Sequence, residues 1–150
     1  MSKALDIADL LRTRLITAPA AGELATPQDI TAVPVIVDRQ KDILSTVLLA
    51  VGKTSGCAIT ILWRGFAAVD ENSHRPAVEN AYVINVWSKP VIAGGNLTAD
   101  DVMQSVLLRL WHWVPGGGHS NKECRVKNGG LVPHKSFLIY DCEVTIPALI

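Results

Sequence analysis

The sequence predicts an α+β fold, with about three helices packed on a mostly antiparallel, mixed β-sheet. Three observations carry that expectation. Apolar residues recur at intervals of three and four in residues 3–16, 42–51 and 98–110, the period of a one-sided helix. They alternate, loosely or strictly, in residues 57–69, 82–87 and 138–146, the period of a strand. The resulting order of helix, strand, helix, strand, strand, helix, strand, strand places strands next to one another without a helix between them, which favours antiparallel pairs.

The first helix has Ala4, Ile7, Ala8, Leu11 and Leu15 on one face. Asp6 and Asp9 come early and Arg12 and Arg14 late, which suits the helix dipole. Residues 17–32 contain Pro19, Gly22 and Pro27 among small and polar neighbours, so they read as a connection. The β-branched run 33–37 follows as a first strand, and Pro34 within it points to a strand start or a sheet edge. In 42–51, Ile43, Leu44, Val47, Leu48 and Val51 form a second helical stripe, with Gly52 where a helix usually ends.

Residues 57–69 and 82–87 are expected to pair as antiparallel strands around the polar run 70–76. The third helix has the clearest start, with Thr98 as N-cap and Asp100 and Asp101 in the first turn. Pro115 and Gly116 to Gly118 close the segment. Asn128-Gly129 is a strong hairpin signal and is expected to be a turn between short strands. The last strand places Leu138, Tyr140, Cys142, Val144 and Ile146 on one face and Asp141, Glu143 and Thr145 on the other.

Composition bounds the function classes. A chain of 150 residues fits one domain, expected to span 1–150. Its 49% hydrophobic content and 19% charged content, against roughly 25% charged in ordinary domains, exclude a disordered polymer. Fourteen basic and fourteen acidic residues cancel, which removes the long-range field of a general nucleic-acid binder and favours self-association. The apolar runs are far shorter than the roughly 18 residues of a membrane span. The acid in Met1–Asp6 argues against an export leader, so the expected compartment is the cytosol. Three widely spaced cysteines, Cys57, Cys124 and Cys142, read as reduced core thiols.

Several chemical motifs are suggested and fail on context. Gly52-Lys53-Thr54 lacks the earlier glycine of a phosphate loop, Val47 standing in its place. Ser55-Gly56 has Lys53 where a nucleophile elbow needs glycine. His112, His119, Cys124, His134 and Cys142 are irregularly spaced, without a Cys-x-x-Cys pair, and favour surface histidines and buried thiols over zinc. Alternating Asp141 and Glu143 fit a solvated or interfacial face better than a hydrolytic pair. The expectation is therefore no catalytic residue, cofactor or metal.

Contact residues stand out more. Trp63 and Trp87 are expected in the core. Trp111 and Trp113, if helical, lie about 200° apart, so one of them is expected to meet a partner. Lys122, Arg125 and Lys127, with Lys135 nearby, form the one local basic stretch. It reads either as a solvated hairpin or as a positive loop for phosphates or an acidic partner, and it lacks the interleaved aromatics of a base reader.

The helix ALDIADLLRTRL, the strands CAITILWRG and AYVINVWSK around a polar loop, the helix TADDVMQSVLLRLWHW and the closing strand SFLIYDCEVTI together resemble the tail-terminator family of phage minor tail proteins. The resemblance spans nearly the whole chain and is one of element order. It implies a hexameric ring that sits on the last ring of the tail tube, stops its polymerisation and provides the head-docking surface. The implied partners are further copies of the chain, the tail-tube protein, a head–tail connector and, non-specifically, passing DNA. The implied location is the host cytoplasm during assembly and then the virion tail. Candidate interface or DNA-channel contacts are Trp111, Trp113, Lys122, Arg125, Lys127, Asp141 and Glu143. The alternatives are a head–tail connector or tail-completion protein, and a small cytosolic enzyme or ligand-binding domain using Asp141, Glu143 or His119.

Overall fold

The computed structural model describes residues 3–38, 46–47, 50, 56–68, 77–89, 98–116, 122–134 and 137–149. The fold is α+β. Helix α1 (Lys3–Ile16) is followed by strands β1 (Val35–Asp38), β2 (Cys57–Ala68) and β3 (Ala77–Ser88), helix α2 (Ala99–Leu110), and strands β4 (Arg125–Val132) and β5 (Leu138–Leu149). The strands form one five-stranded sheet in the order β1-β2-β3-β5-β4. β1 runs parallel to β2, and every other pair is antiparallel.

Two helices stand among the described residues where three were expected. Most of the predicted 42–51 helix lies outside those residues, although Thr46, Val47 and Ala50 are helical. The phosphate-loop segment 52–54, His119, Lys135 and the whole polar run 70–76 also fall outside them.

Both helices pack on one face of the sheet. Ile7, Ala8, Leu11 and Leu15 of α1 and Val102, Val106 and Leu110 of α2 join Ile59, Ile61, Tyr82, Ile84, Val86, Cys142, Val144 and Ile146 in the main core. These are the stripes and alternations visible in the sequence, and their burial supplies the main stabilisation at roughly 25 cal/mol per Å² of apolar surface. Thr98 caps α2, its hydroxyl accepting from the Asp101 N–H at 3.2 Å.

Among the described residues, a second, smaller apolar cluster covers one end of the other face of the sheet. There Val47 packs with Ala58, Phe137 and Ile139, with Trp87 and Val132 alongside. Trp87 stacks edge-on against Phe137 at 5.4 Å and donates to Thr60 Oγ1 at 3.0 Å. Trp63 departs from the expected core position: it is 36% exposed, and its indole donates to Asn80 Oδ1 at 3.2 Å.

Asn128-Gly129 is not a turn. Both residues lie inside β4, opposite Glu143 and Cys142 of β5. The glycine serves a close approach between strands, because a Cβ at Gly129 would collide with the backbone carbonyl of Asp141. A bulge between Val126 and Asn128 absorbs the extra residue.

Candidate functional site

Four of the seven candidate contact residues fall on two surfaces, Trp111 and Trp113 on one and Lys127 and Glu143 on the other, on opposite sides of the sheet. The first is a cleft where the C-terminal ends of α1 and α2 meet. Arg14 Nε donates to the Arg109 carbonyl at 2.8 Å, and Arg109 Nη2 donates to the Arg14 carbonyl at 3.3 Å. Both guanidinium groups turn to the same carboxylate oxygen, Glu23 Oε2, at 2.5 Å from Arg14 and 3.4 Å from Arg109. The other oxygen accepts the Ala20 N–H at 2.8 Å. That backbone hydrogen bond and the bond from Arg14 pull the Glu23 carboxyl down to about 2.

Arg109 is 2% exposed. Burial lowers its pKa, the neighbouring Arg14 charge adds to that, and Glu23 opposes it. Its Nε has no hydrogen-bond partner among the described residues. Two guanidinium groups thus share one carboxylate at the junction of the helices. Sequence reasoning passed over this arginine, although one signal was available: Arg109 lies three residues after Val106 and seven after Val102, on the stripe that α2 buries.

Trp111 and Trp113 border this cleft, whose volume is about 360 Å³, together with Leu24 and Val114. Helix α2 ends at Leu110, so neither tryptophan is helical and the 200° argument does not apply to them. His112 between them takes a left-handed backbone with φ of 55°. Trp111 is 54% exposed, whereas Trp113 packs against the core beneath the Arg14 guanidinium, 5.9 Å from its ring centroid. His112 pairs with Glu123 at 2.6 Å.

The second surface is on the side of the sheet away from the helices. A cavity of about 310 Å³ opens there, lined by Arg64, Phe66, Ala67, Glu79, Lys127, Glu143 and Thr145 among others. The register explains the cluster: Arg64 and Gly65 lie at a bulge in β2, Glu79 pairs with Ala67, and Thr145 pairs with both Ala81 and Arg125. Arg64 meets Glu143 at 3.0 Å and Lys127 stands 4.0 Å from Glu79 Oε1. Glu79 Oε1 and Thr145 Oγ1 are buried without a hydrogen-bond partner among the described residues.

Of the candidates read from sequence, Lys127 and Glu143 thus come together, and Arg64, Glu79 and Thr145 join them unforeseen. Asp141 does not line the cavity; its Oδ1 accepts the Gly130 N–H at 2.8 Å and secures β4 to β5. Lys122, before β4, and Arg125, its first residue, are exposed.

Cys124 and Cys142 are buried, free thiols in the main core. Burial pushes Cys124 up to about 12 and Cys142 up to about 11, with nearby negative charge adding to both. Among the described residues, no three His, Cys, Asp or Glu side chains gather as a metal-binding group. The fold and these surfaces define the chain as an α+β domain with a mixed sheet and two unlike exposed patches. No family model matches it, and no curated protein matches it.

Proposed function

We propose that the chain is a ring-forming structural subunit of a phage tail, a tail terminator that caps the tail tube, stops its polymerisation and presents the head-docking surface. The reading takes residues 1–150 as one such domain and six copies as the ring. The resemblance in element order motivates it. The observation that carries it is the pair of dissimilar patches on opposite sides of one subunit: an aromatic cleft over the Arg14–Glu23–Arg109 junction, and a sheet face with alternating charges.

A closed ring is built from heterologous contacts, in which each copy offers two different complementary surfaces. Zero net charge removes the self-repulsion that would oppose such contacts. The exposed basic side chains Lys122 and Arg125, at the edge strand β4, are assigned to phosphates of passing DNA.

Sedimentation or light scattering should give a particle near six times 16.1 kDa, and negative-stain images should show rings, free or seated on tail tubes. A chain that stays single in solution and also leaves tail tubes uncapped would rule the reading out. Replacing Lys122 and Arg125 with serine should impair DNA passage or head docking while rings still form. Normal infectivity of that double variant would remove the DNA assignment alone.

A further inference from the structure

Each of the two patches lacks what the other holds. On the cleft side, Trp111 projects 54% exposed, flanked by Leu24 at 56% and Val114 at 43%. Its ring meets His112 edge-on, and its indole N–H has no hydrogen-bond partner among the described residues. On the sheet side, the cavity contains a carboxylate oxygen of Glu79 and the hydroxyl of Thr145, both buried and both without a hydrogen-bond partner among the described residues. Thr145 is 6% exposed, and Phe66 at the cavity wall is 65% exposed.

We infer that Trp111 of one copy inserts into the Arg64–Glu79–Thr145 cavity of the next copy, its indole N–H donating to the Glu79 carboxylate and its ring packing on Phe66. This rests on the ring reading above and names the contact that builds the ring.

Three physical arguments select this occupant. A buried acceptor without a donor is costly, and the entering N–H relieves that cost without bringing in a charge. A cationic side chain would instead crowd Arg64 and Lys127, which already stand at the cavity. The volume, about 310 Å³, lies at the low end of enclosing clefts, roughly 300–1,000 Å³, so it suits one aromatic side chain better than a folded segment. Exposed tryptophan with arginine nearby is also the composition of interface hot spots. Lys127, 45% exposed and too far from Glu79 for a hydrogen bond at 4.0 Å, is free to move aside as the ring enters.

The contact is directional, so two kinds of damaged copy should complement each other. Trp111→Ala removes the plug, and Ala67→Phe fills the socket at an exposed position. Each variant alone should weaken association by roughly 30-fold, the ratio for losing a hot spot of about 2 kcal/mol. Mixed in equal amounts, they should form a pair of twice 16.1 kDa and nothing larger, because one intact plug meets one intact socket. Circular dichroism and melting curves of each variant establish that it is folded.

If the wild-type chain assembles and both variants assemble equally well, the insertion is wrong and the ring reading stands. A mixture that stays monomeric while the wild type assembles also overturns the insertion. A wild-type chain that remains single at every concentration overturns it too, and the ring reading is then decided separately by the tail-tube assay.

Discussion

The phenol of Tyr82, at the middle of β3, donates a 2.7 Å hydrogen bond to the backbone carbonyl of Ala4 in the first turn of α1. The side chain is fully buried, and burial raises its pKa well above the ordinary tyrosine value, so the group stays a neutral donor. This bond, together with the one that Arg12 Nε donates to the Val35 carbonyl at 2.9 Å, fixes where the first helix lies along the sheet. Tyr82→Phe should lower unfolding free energy by about 1 kcal/mol, the usual net value of such a bond. Urea denaturation would show this as a reduced midpoint with an unchanged slope; an unchanged midpoint would mean that packing and the Arg12–Val35 bond hold the helix without it.

Gly129→Ala should be more damaging than its surface position suggests. Gly129 is exposed and in a strand, where alanine would normally be tolerated. The added methyl group meets the Asp141 carbonyl, which is backbone held in the β4–β5 ladder and cannot rotate away. A loss of about 2 kcal/mol is expected, within the range for overpacking, together with faster amide exchange along β4. The neighbouring Gly130→Ala meets only the tip of the Asp141 side chain and should cost clearly less. Equal effects at the two positions would contradict the geometry.

Acid should destabilise the helix junction through Glu23. Its carboxyl is lowered from 4.5 to about 2 in the folded chain, so the unfolded chain binds the proton more readily. The stabilisation is complete above pH 4.5 and is lost as pH falls toward 2. Melting temperatures of wild type and Glu23→Gln, measured across this interval, should converge as the pH falls. Asp29, lowered by hydrogen bonds from Thr31, leaves a residual slope of the same sign in the variant. Parallel curves for the two proteins would exclude Glu23 as the source.

The thiols should be silent until the fold opens. Cys57, Cys124 and Cys142 are all buried, and burial raises each thiol pKa, so little thiolate exists at mildly alkaline pH. Native protein should react very slowly with a disulfide reagent, and denatured protein should release three equivalents. Rapid reaction of one equivalent in the native state would point to local opening around that residue.

Elements governed by a single periodic pattern were legible in the sequence. The buried stripe Ile7, Ala8, Leu11 and Leu15, the Thr98 cap and the alternation through Cys142, Val144 and Ile146 each report local geometry directly. The parallel β1, placed at the sheet edge as Pro34 suggested, was also foreseen in position. What stayed hidden depends on residues distant in sequence. Gly129 reads locally as a turn, and only the carbonyl of Asp141 across the ladder shows why glycine is needed within a strand. The cavity on the sheet face draws Arg64, Glu79 and Thr145 from three strands, and nothing in any one strand marks them. Arg109 is an arginine on an apolar stripe, an oddity that made sense only once Glu23 was found beside it.

The outer strands of the sheet limit how this chain can aggregate. β1 is only four residues long, and β4 carries a kink at Val126–Asn128 with Arg125 and Lys127 beside it. Short, bent and charged borders are poor templates for adding foreign backbone. Concentrated solutions should therefore resist growth into amyloid-like fibrils, and any ordered particle that forms should come apart again on dilution.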